Sequence, residues 1–256
     1  MSHPALTIAR YTFLEGLRTR LFWVSALALL LLYGASILVQ QLAIADSTRI
    51  QTGFLATALR LAVIFLLSLH VISSMLREFN DKGFELILSL DLARASYVLG
   101  KFGGYAMTGF LLTLLSTALV MILAPTGQAI LWGVSLACEL WLVTAFSLFC
   151  AMHFTQTLSA ASAVLGFYLL ARSISAIQLI SGSTLFDATD LAHRCMAGVV
   201  EAVALALPRL DTFTQTAWLV NGSGSWGALM ALGTQTAIYV GLLLAATMFD
   251  LYRKNL

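Results

Sequence analysis

The stretch Arg77-Glu78-Phe79-Asn80-Asp81-Lys82-Gly83-Phe84-Glu85-Leu86-Ile87-Leu88-Ser89-Leu90 separates two long apolar runs and continues to Tyr97-Val98-Leu99-Gly100-Lys101-Phe102. Seven ionised residues fall between Arg77 and Arg94: Arg77, Glu78, Asp81, Lys82, Glu85, Asp91 and Arg94. The rest of the chain is apolar: of 256 residues, 60% are hydrophobic and only 10% are charged. A soluble domain carries about 25% charged residues, so this apolar surplus needs lipid as its solvent. A mean hydropathy of +0.91 agrees. The charged segment is therefore a break between membrane spans, and the best place for the chain to meet a soluble partner.

A helix needs roughly 20 apolar residues to cross the hydrocarbon core at 1.5 Å per residue. Six runs meet that length: Leu21–Ile44, Phe54–Leu76, Tyr97–Leu123, Ile130–Met152, Leu158–Ile180 and Trp226–Leu251. The sequence thus predicts an all-α polytopic membrane protein, a single transmembrane domain over residues 1–256. The breaks fall at Asp46-Ser47-Thr48-Arg49, the charged segment, Pro125-Thr126-Gly127, His153-Phe154-Thr155-Gln156 and the long stretch Ser181–Ser225. The first run, at 24 residues, exceeds a signal-peptide core and has no A-x-A site after it, so it is expected to stay as a span.

Basic residues set the expected orientation. With the N-terminus in the cytoplasm, nine lie inside (Arg10, Arg18, Arg20, Arg77, Lys82, Arg94, Lys101, Arg253 and Lys254). Three lie outside: Arg49, Arg194 and Arg209. That bias predicts both termini, and the charged segment, in the cytoplasm. Residues 1–20 read as a surface helix, with Tyr11, Leu14, Leu17 and Leu21 on one stripe and Arg10, Arg18 and Arg20 reaching headgroups. A plain basic flank is the alternative. Leu191–Leu207 is marginal for crossing and carries Arg194 and Glu201, so it reads as an external interfacial or re-entrant helix.

Several chemistries are excluded. No G-x-x-x-x-G-K-[ST] loop is present, since Gly100-Lys101 is followed by Phe102. The chain is therefore expected to bind no ATP and no other cofactor, and to be no enzyme. No H-E-x-x-H or paired-cysteine spacing suggests a metal, and a net charge of +2 gives no argument for nucleic acid. Gly222-Ser223-Gly224-Ser225 reads as a flexible linker rather than a serine-protease site. No internal repeat supports an inverted-repeat carrier.

Five ionisable residues lie in or at the edge of spans: Arg60, His70, Glu139, Arg172 and Asp250. Arg60 and Asp250 stand near span ends, where they are expected to reach headgroups. His70 is expected to be a neutral core residue. Glu139 and Arg172 are of opposite sign, and both lie about 12–14 Å below the outer boundary by helix rise. They are expected to pair, with a charge swap partly restoring what single neutralisations lose. Gly100-x-x-x-Gly104 is expected to be a close-packing notch.

The run Arg77-Glu78 … Lys82-Gly83-Phe84-Glu85-Leu86-Ile87-Leu88-Ser89 … Arg94-Ala95-Ser96-Tyr97-Val98-Leu99-Gly100-Lys101-Phe102 resembles the cytoplasmic loop of type-2 exporter permeases of ABC transporters. Ala9-Arg10 … Phe13-Leu14-Glu15 … Leu17-Arg18-Thr19-Arg20-Leu21-Phe22-Trp23 is similar to that family's N-terminal helix, and Phe249–Leu256 to its basic tail. Asp91 departs from the pattern, standing where the family often has Pro. The resemblance implies a permease subunit of the bacterial inner membrane, paired with a second copy and with two ATPase subunits that carry ATP and Mg. It implies a coupling helix at Gly83–Leu90. Phe84, Leu86, Ile87 and Leu90 would be its apolar face, Gly83 its turn, and Glu78, Asp81, Lys82 and Glu85 its rim charges against the ATPase. A membrane-embedded enzyme and a stand-alone channel or secondary carrier are the competing readings. The substrate is not legible, although the Leu-, Ala- and Phe-rich spans lean toward an amphipathic or lipid-like cargo.

Overall fold

A computed structural model describes residues 4–44, 46–81, 94–181 and 191–253. These residues form nine α-helices and one short 3-10 turn, with no strand among them. The helices are α1 (Pro4–Arg18), α2 (Arg20–Leu42), α3 (Ser47–Asn80), α4 (Arg94–Met121), α5 (Thr126–His153), α6 (Thr157–Ser181), α7 (Leu191–Ala206), α8 (Thr216–Asn221) and α9 (Trp226–Arg253). The 3-10 turn is Leu210–Thr212. Six of them, α2 to α6 and α9, are long and apolar enough to cross a membrane. The chain is an all-α polytopic membrane protein.

Short connections make consecutive spans antiparallel. Asp46, in the left-handed region at φ 48°, turns the chain between α2 and α3; a short polar side chain tolerates that conformation. Pro125 stands immediately before α5, where its missing N–H costs nothing. Contacts gather the helix ends into two groups. At one end Arg94 Nη1 donates to the Leu251 carbonyl (2.9 Å) and His153 Nδ1 lies 3.3 Å from Asp250 Oδ2. At the other, the loop end, Gln128 Nε2 donates to the Gly222 carbonyl (3.3 Å) and the Gly224 N–H donates to Gln128 Oε1 (3.1 Å). The Gly/Ser stretch expected to be a free linker is thus docked on the start of α5.

Helices α3 and α5 form the centre and α2 and α9 the flanks, with most of the flanking surface open. In lipid, helices associate by close packing rather than by excluding water. The α4 face that enters the core carries hydroxyls that bond their own helix: Thr113 to the Gly109 carbonyl, Ser116 to Leu112 and Thr117 to Thr113, at 2.8–3.0 Å. These groups are satisfied locally. α3 is longer than its apolar run at both ends, reaching 34 residues or about 50 Å. Its polar first and last turns, Ser47–Gln51 and Arg77–Asn80, carry no hydropathy signal.

α1 lies against α4, not only on a membrane surface. Thr12 and Gly16 are buried beneath it, while Leu6, Tyr11 and Leu14 of its apolar stripe are exposed. Arg10 and Arg18 are exposed as well. The small face meets protein and the large apolar face is left for lipid.

Candidate functional site

The loop after α7 does not stay at the surface. From Pro208 to Thr214 it turns into the bundle, and Leu210, Phe213 and Thr214 have no exposed surface. Non-helical backbone at this depth is tolerated only where its polar groups find partners in the protein. Here the partners are charged side chains from three spans.

Glu139, in the fourth turn of α5 and with no exposed surface, is at the centre. Tyr168 Oη donates to its Oε1 (3.0 Å) and Arg172 Nη1 lies 3.2 Å from the same oxygen. Thr214 Oγ1 donates to Oε2 at 2.6 Å. Both carboxylate oxygens are therefore satisfied, one of them by two donors. Arg172 also faces the loop: Nη1 lies 2.7 Å from the Leu210 carbonyl, 3.1 Å from that of Phe213 and 3.4 Å from Thr214 Oγ1. One nitrogen with two hydrogens meets four acceptors, so the bonds are shared.

Thr214 is held by all its polar atoms. Its N–H donates to Ser135 Oγ (2.9 Å), its hydroxyl to Glu139, and its carbonyl accepts from Arg60 Nη1 (3.2 Å). It stands at φ 43°. A β-branched residue in the left-handed region carries strain of about 1–3 kcal/mol. The three bonds offset that strain and fix the inward turn.

The structure brings the expected pair Glu139 and Arg172 together and adds members that the sequence reading missed. Arg60 was expected to snorkel from a span end. It is instead only 8% exposed, in the fourth turn of α3, because α3 begins at Ser47 rather than Phe54. Tyr168, Ser135 and Thr214 gave no signal, since a hydroxyl that caps a carboxylate looks in sequence like one that bonds its own helix. His70 is buried edge-on to Tyr105, with ring centroids 5.9 Å apart and no hydrogen bond to either nitrogen among the described residues. Asp250 Oδ2 lies 3.3 Å from His153 Nδ1.

A second constellation frames the charged segment at the opposite end. Glu78, in the last turn of α3, forms an ion pair with Lys101 of α4 and accepts a bond from Tyr97 Oη (3.0 Å). The Lys101 and Glu78 side chains are 7% and 16% exposed, so this is a buried contact. Lys101 also lies 5.9 Å above the Tyr97 ring. Glu78 was expected among the rim charges facing a partner; it faces inward and is engaged. Asp81, exposed, continues the end of α3 through its N–H to the Arg77 carbonyl (2.9 Å). Lys82, Gly83, Phe84, Glu85, Leu86 and Leu90 lie outside the described residues.

Gly100 and Gly104 form a notch, but it receives α1 instead of another span. A Cβ at Gly100 would stand 2.7 Å from Ile8 Cβ and 2.8 Å from the Ala5 carbonyl oxygen. One at Gly104 would stand 2.5 Å from Thr12 Cβ and 2.8 Å from the Ala9 oxygen. Only glycine admits the α1 backbone so closely. Ser74 Oγ donates to Glu15 Oε1 (3.3 Å), which joins α1 to α3 as well. No metal-ligand cluster occurs among the described residues.

Compared with protein-family models and with curated proteins, the sequence gives no match.

Proposed function

We propose that the chain is the permease subunit of an ATP-driven exporter of the type-2 ABC kind. In this reading it sits in a bacterial inner membrane with both termini cytoplasmic. It works as a homodimer with two copies of a separate ATPase subunit that binds ATP and Mg. The segment 82–93 is the surface on which the ATPase seats, with Phe84 and Leu86 as its apolar anchors.

One observation carries the reading: the charged segment is clamped at both of its ends. On one side Glu78 binds Lys101 and Tyr97; on the other Arg94 donates to the Leu251 carbonyl and stacks 5.5 Å above the Tyr252 ring. A solvated loop needs no such anchors. A segment that receives a push from a soluble motor does, because a push at a loose joint would be lost before it reached the spans. α3 then supplies a continuous rod. It runs from Glu78, beside the segment, to Arg60, which holds Thr214 of the inserted loop, roughly 27 Å away by helix rise. A displacement of the segment would move both ends of that rod.

The test is purification of the tagged chain from native membranes in mild detergent. The expected result is a co-purifying ATP-binding chain in equal amount, with ATPase activity. Phe84→Ala should release that chain, or leave hydrolysis without transport, while the spans stay folded. A permease recovered alone in every condition, with no ATPase activity, would overturn the reading.

A further inference from the structure

A cavity of about 370 Å³ lies between the inserted loop, α8 and α9. Arg209, Thr212, Gln215 and Trp218 line one side of it, and Leu232 and Gln235 of α9 line the other. Cavities of about 300–1,000 Å³ are the size that holds small molecules. By helix rise, Gln235 stands about 14 Å from the start of α9. Ser135 stands equally far from the start of α5, and it accepts from the N–H of Thr214, the residue before Gln215. The two glutamines are therefore at similar depth, well inside the spans. A polar side chain at such depth is unfavourable if it faces lipid alone.

The polar groups of this cavity are unused. Among the described residues, the side chains of Arg209, Gln215 and Gln235 make no hydrogen bond, and Gln215 does not cap α8. The Thr212 hydroxyl donates to the Arg209 carbonyl (2.7 Å), so it offers the cavity lone pairs only. Arg209 can only donate, and each glutamine amide brings two N–H for one oxygen, so donors dominate the lining. Asp211 does not line the cavity, and its buried Oδ1 is unpartnered elsewhere on the loop. The site is thus defined by donors that face open space, not by a net charge. Trp218 and Leu232 supply apolar walls. Past Gln235 the same face of α9 continues with Ile238 and Leu242, 61% and 62% exposed.

We infer that this cavity holds the head of an acyl compound, a carboxyl or ester carbonyl carried on a hydrocarbon chain. The head oxygens sit between Gln215, Gln235 and Arg209, and the chain runs along Ile238 and Leu242. Acceptor oxygens satisfy the amide and guanidinium N–H groups, and the chain covers the open apolar face of α9. A water-soluble sugar or amino acid would have to leave water to reach this depth, and it would bring donors that the lining does not need. The site is separate from the Glu139 cluster and holds whether or not an ATPase binds the charged segment.

The experiment uses the full purified chain in phosphatidylcholine nanodiscs and three photoactivatable probes with a mid-chain diazirine: a long-chain fatty acid, its methyl ester and the matching hydrocarbon without oxygen. Adducts are mapped by peptide mass spectrometry. The acid, the ester or both should label α9 around Ile238–Leu242 about tenfold more than the hydrocarbon does. Labelling by both assigns the site to any carbonyl head, and labelling by the acid alone assigns it to a carboxylate. Gln215→Met and Gln235→Met keep the side-chain length without the amide. Each should lower the labelling, and the pair should bring it to the hydrocarbon level, with melting unchanged because neither amide bonds the protein. Thr234→Val, beside Gln235 but lining a different cavity, should change nothing. Equal labelling by the hydrocarbon, full labelling in the double glutamine variant, or an equal loss in Thr234→Val would each overturn the proposal.

Discussion

Neutralising Glu139 should be the most damaging single change in the spans. Glu139→Gln removes the carboxylate that pairs with Arg172 and lies beside Arg60, and leaves both guanidinium groups without it. Breaking one partner out of a buried pair costs about 3–5 kcal/mol. A glutamine still accepts one bond from Tyr168 or Thr214, which places the expectation at the low end, about 3 kcal/mol. Arg172→Gln should cost less, about 2 kcal/mol, because Arg60 remains to oppose Glu139 and the Tyr168 and Thr214 hydroxyls still donate to it. For a chain of this size 1 kcal/mol shifts the melting temperature by about 2–4 °C. Thermal unfolding in detergent should therefore fall by roughly 6–12 °C for Glu139→Gln and roughly 4–8 °C for Arg172→Gln. The double substitution should lose less than the sum, since the two residues touch. The charge swap, expected from sequence to restore part of the loss, should fail. A glutamate at 172 would face the Leu210 and Phe213 carbonyls, and an arginine at 139 would face hydroxyls placed to donate. A Glu139→Gln protein that melts within a degree of the parent, or a swap that restores stability, would refute this account of the cluster.

Three further outcomes follow from the geometry. Thr214→Gly and Thr214→Ala both lose the hydroxyl bond to Glu139, but only alanine keeps the left-handed strain, so the glycine variant should be the more stable by about 1 kcal/mol in the same melting assay. Gly104→Val should drive α1 off α4 at a cost of about 1–3 kcal/mol; limited proteolysis should then cut between Arg18 and Phe22 in the variant and spare the parent. Single cysteines at the exposed positions 46 and 48–50 and at 125–127 should label from outside intact cells, and cysteines at Lys82 or Lys254 should not, as the nine-to-three distribution of basic residues predicts.

The spans were legible because membrane burial needs length and hydropathy, and both are local. The bounds of α3 were not, and that error carried over to Arg60, which looked terminal only because the first polar turn of its helix was invisible. The Glu139–Arg172 contact could be anticipated from charge and matched depth. What could not be anticipated is that a piece of the loop after α7 enters the bundle to meet them. Pro208 marks the end of α7, yet nothing in Leu210–Thr214 distinguishes a segment pulled inward by two arginines from one lying at the surface. The inward turn of Glu78 was equally hidden: its partner Lys101 is far along the chain, on the other side of the charged segment.

The most direct test of the central claim is a photocrosslinker at position 84 in the full chain, irradiated in native membranes. The account predicts a single major adduct to an ATP-binding subunit, weakened when that subunit is depleted and altered when ADP is trapped by vanadate after hydrolysis. Adducts to lipid alone, with no ATP-binding chain attached under any nucleotide condition, would contradict it.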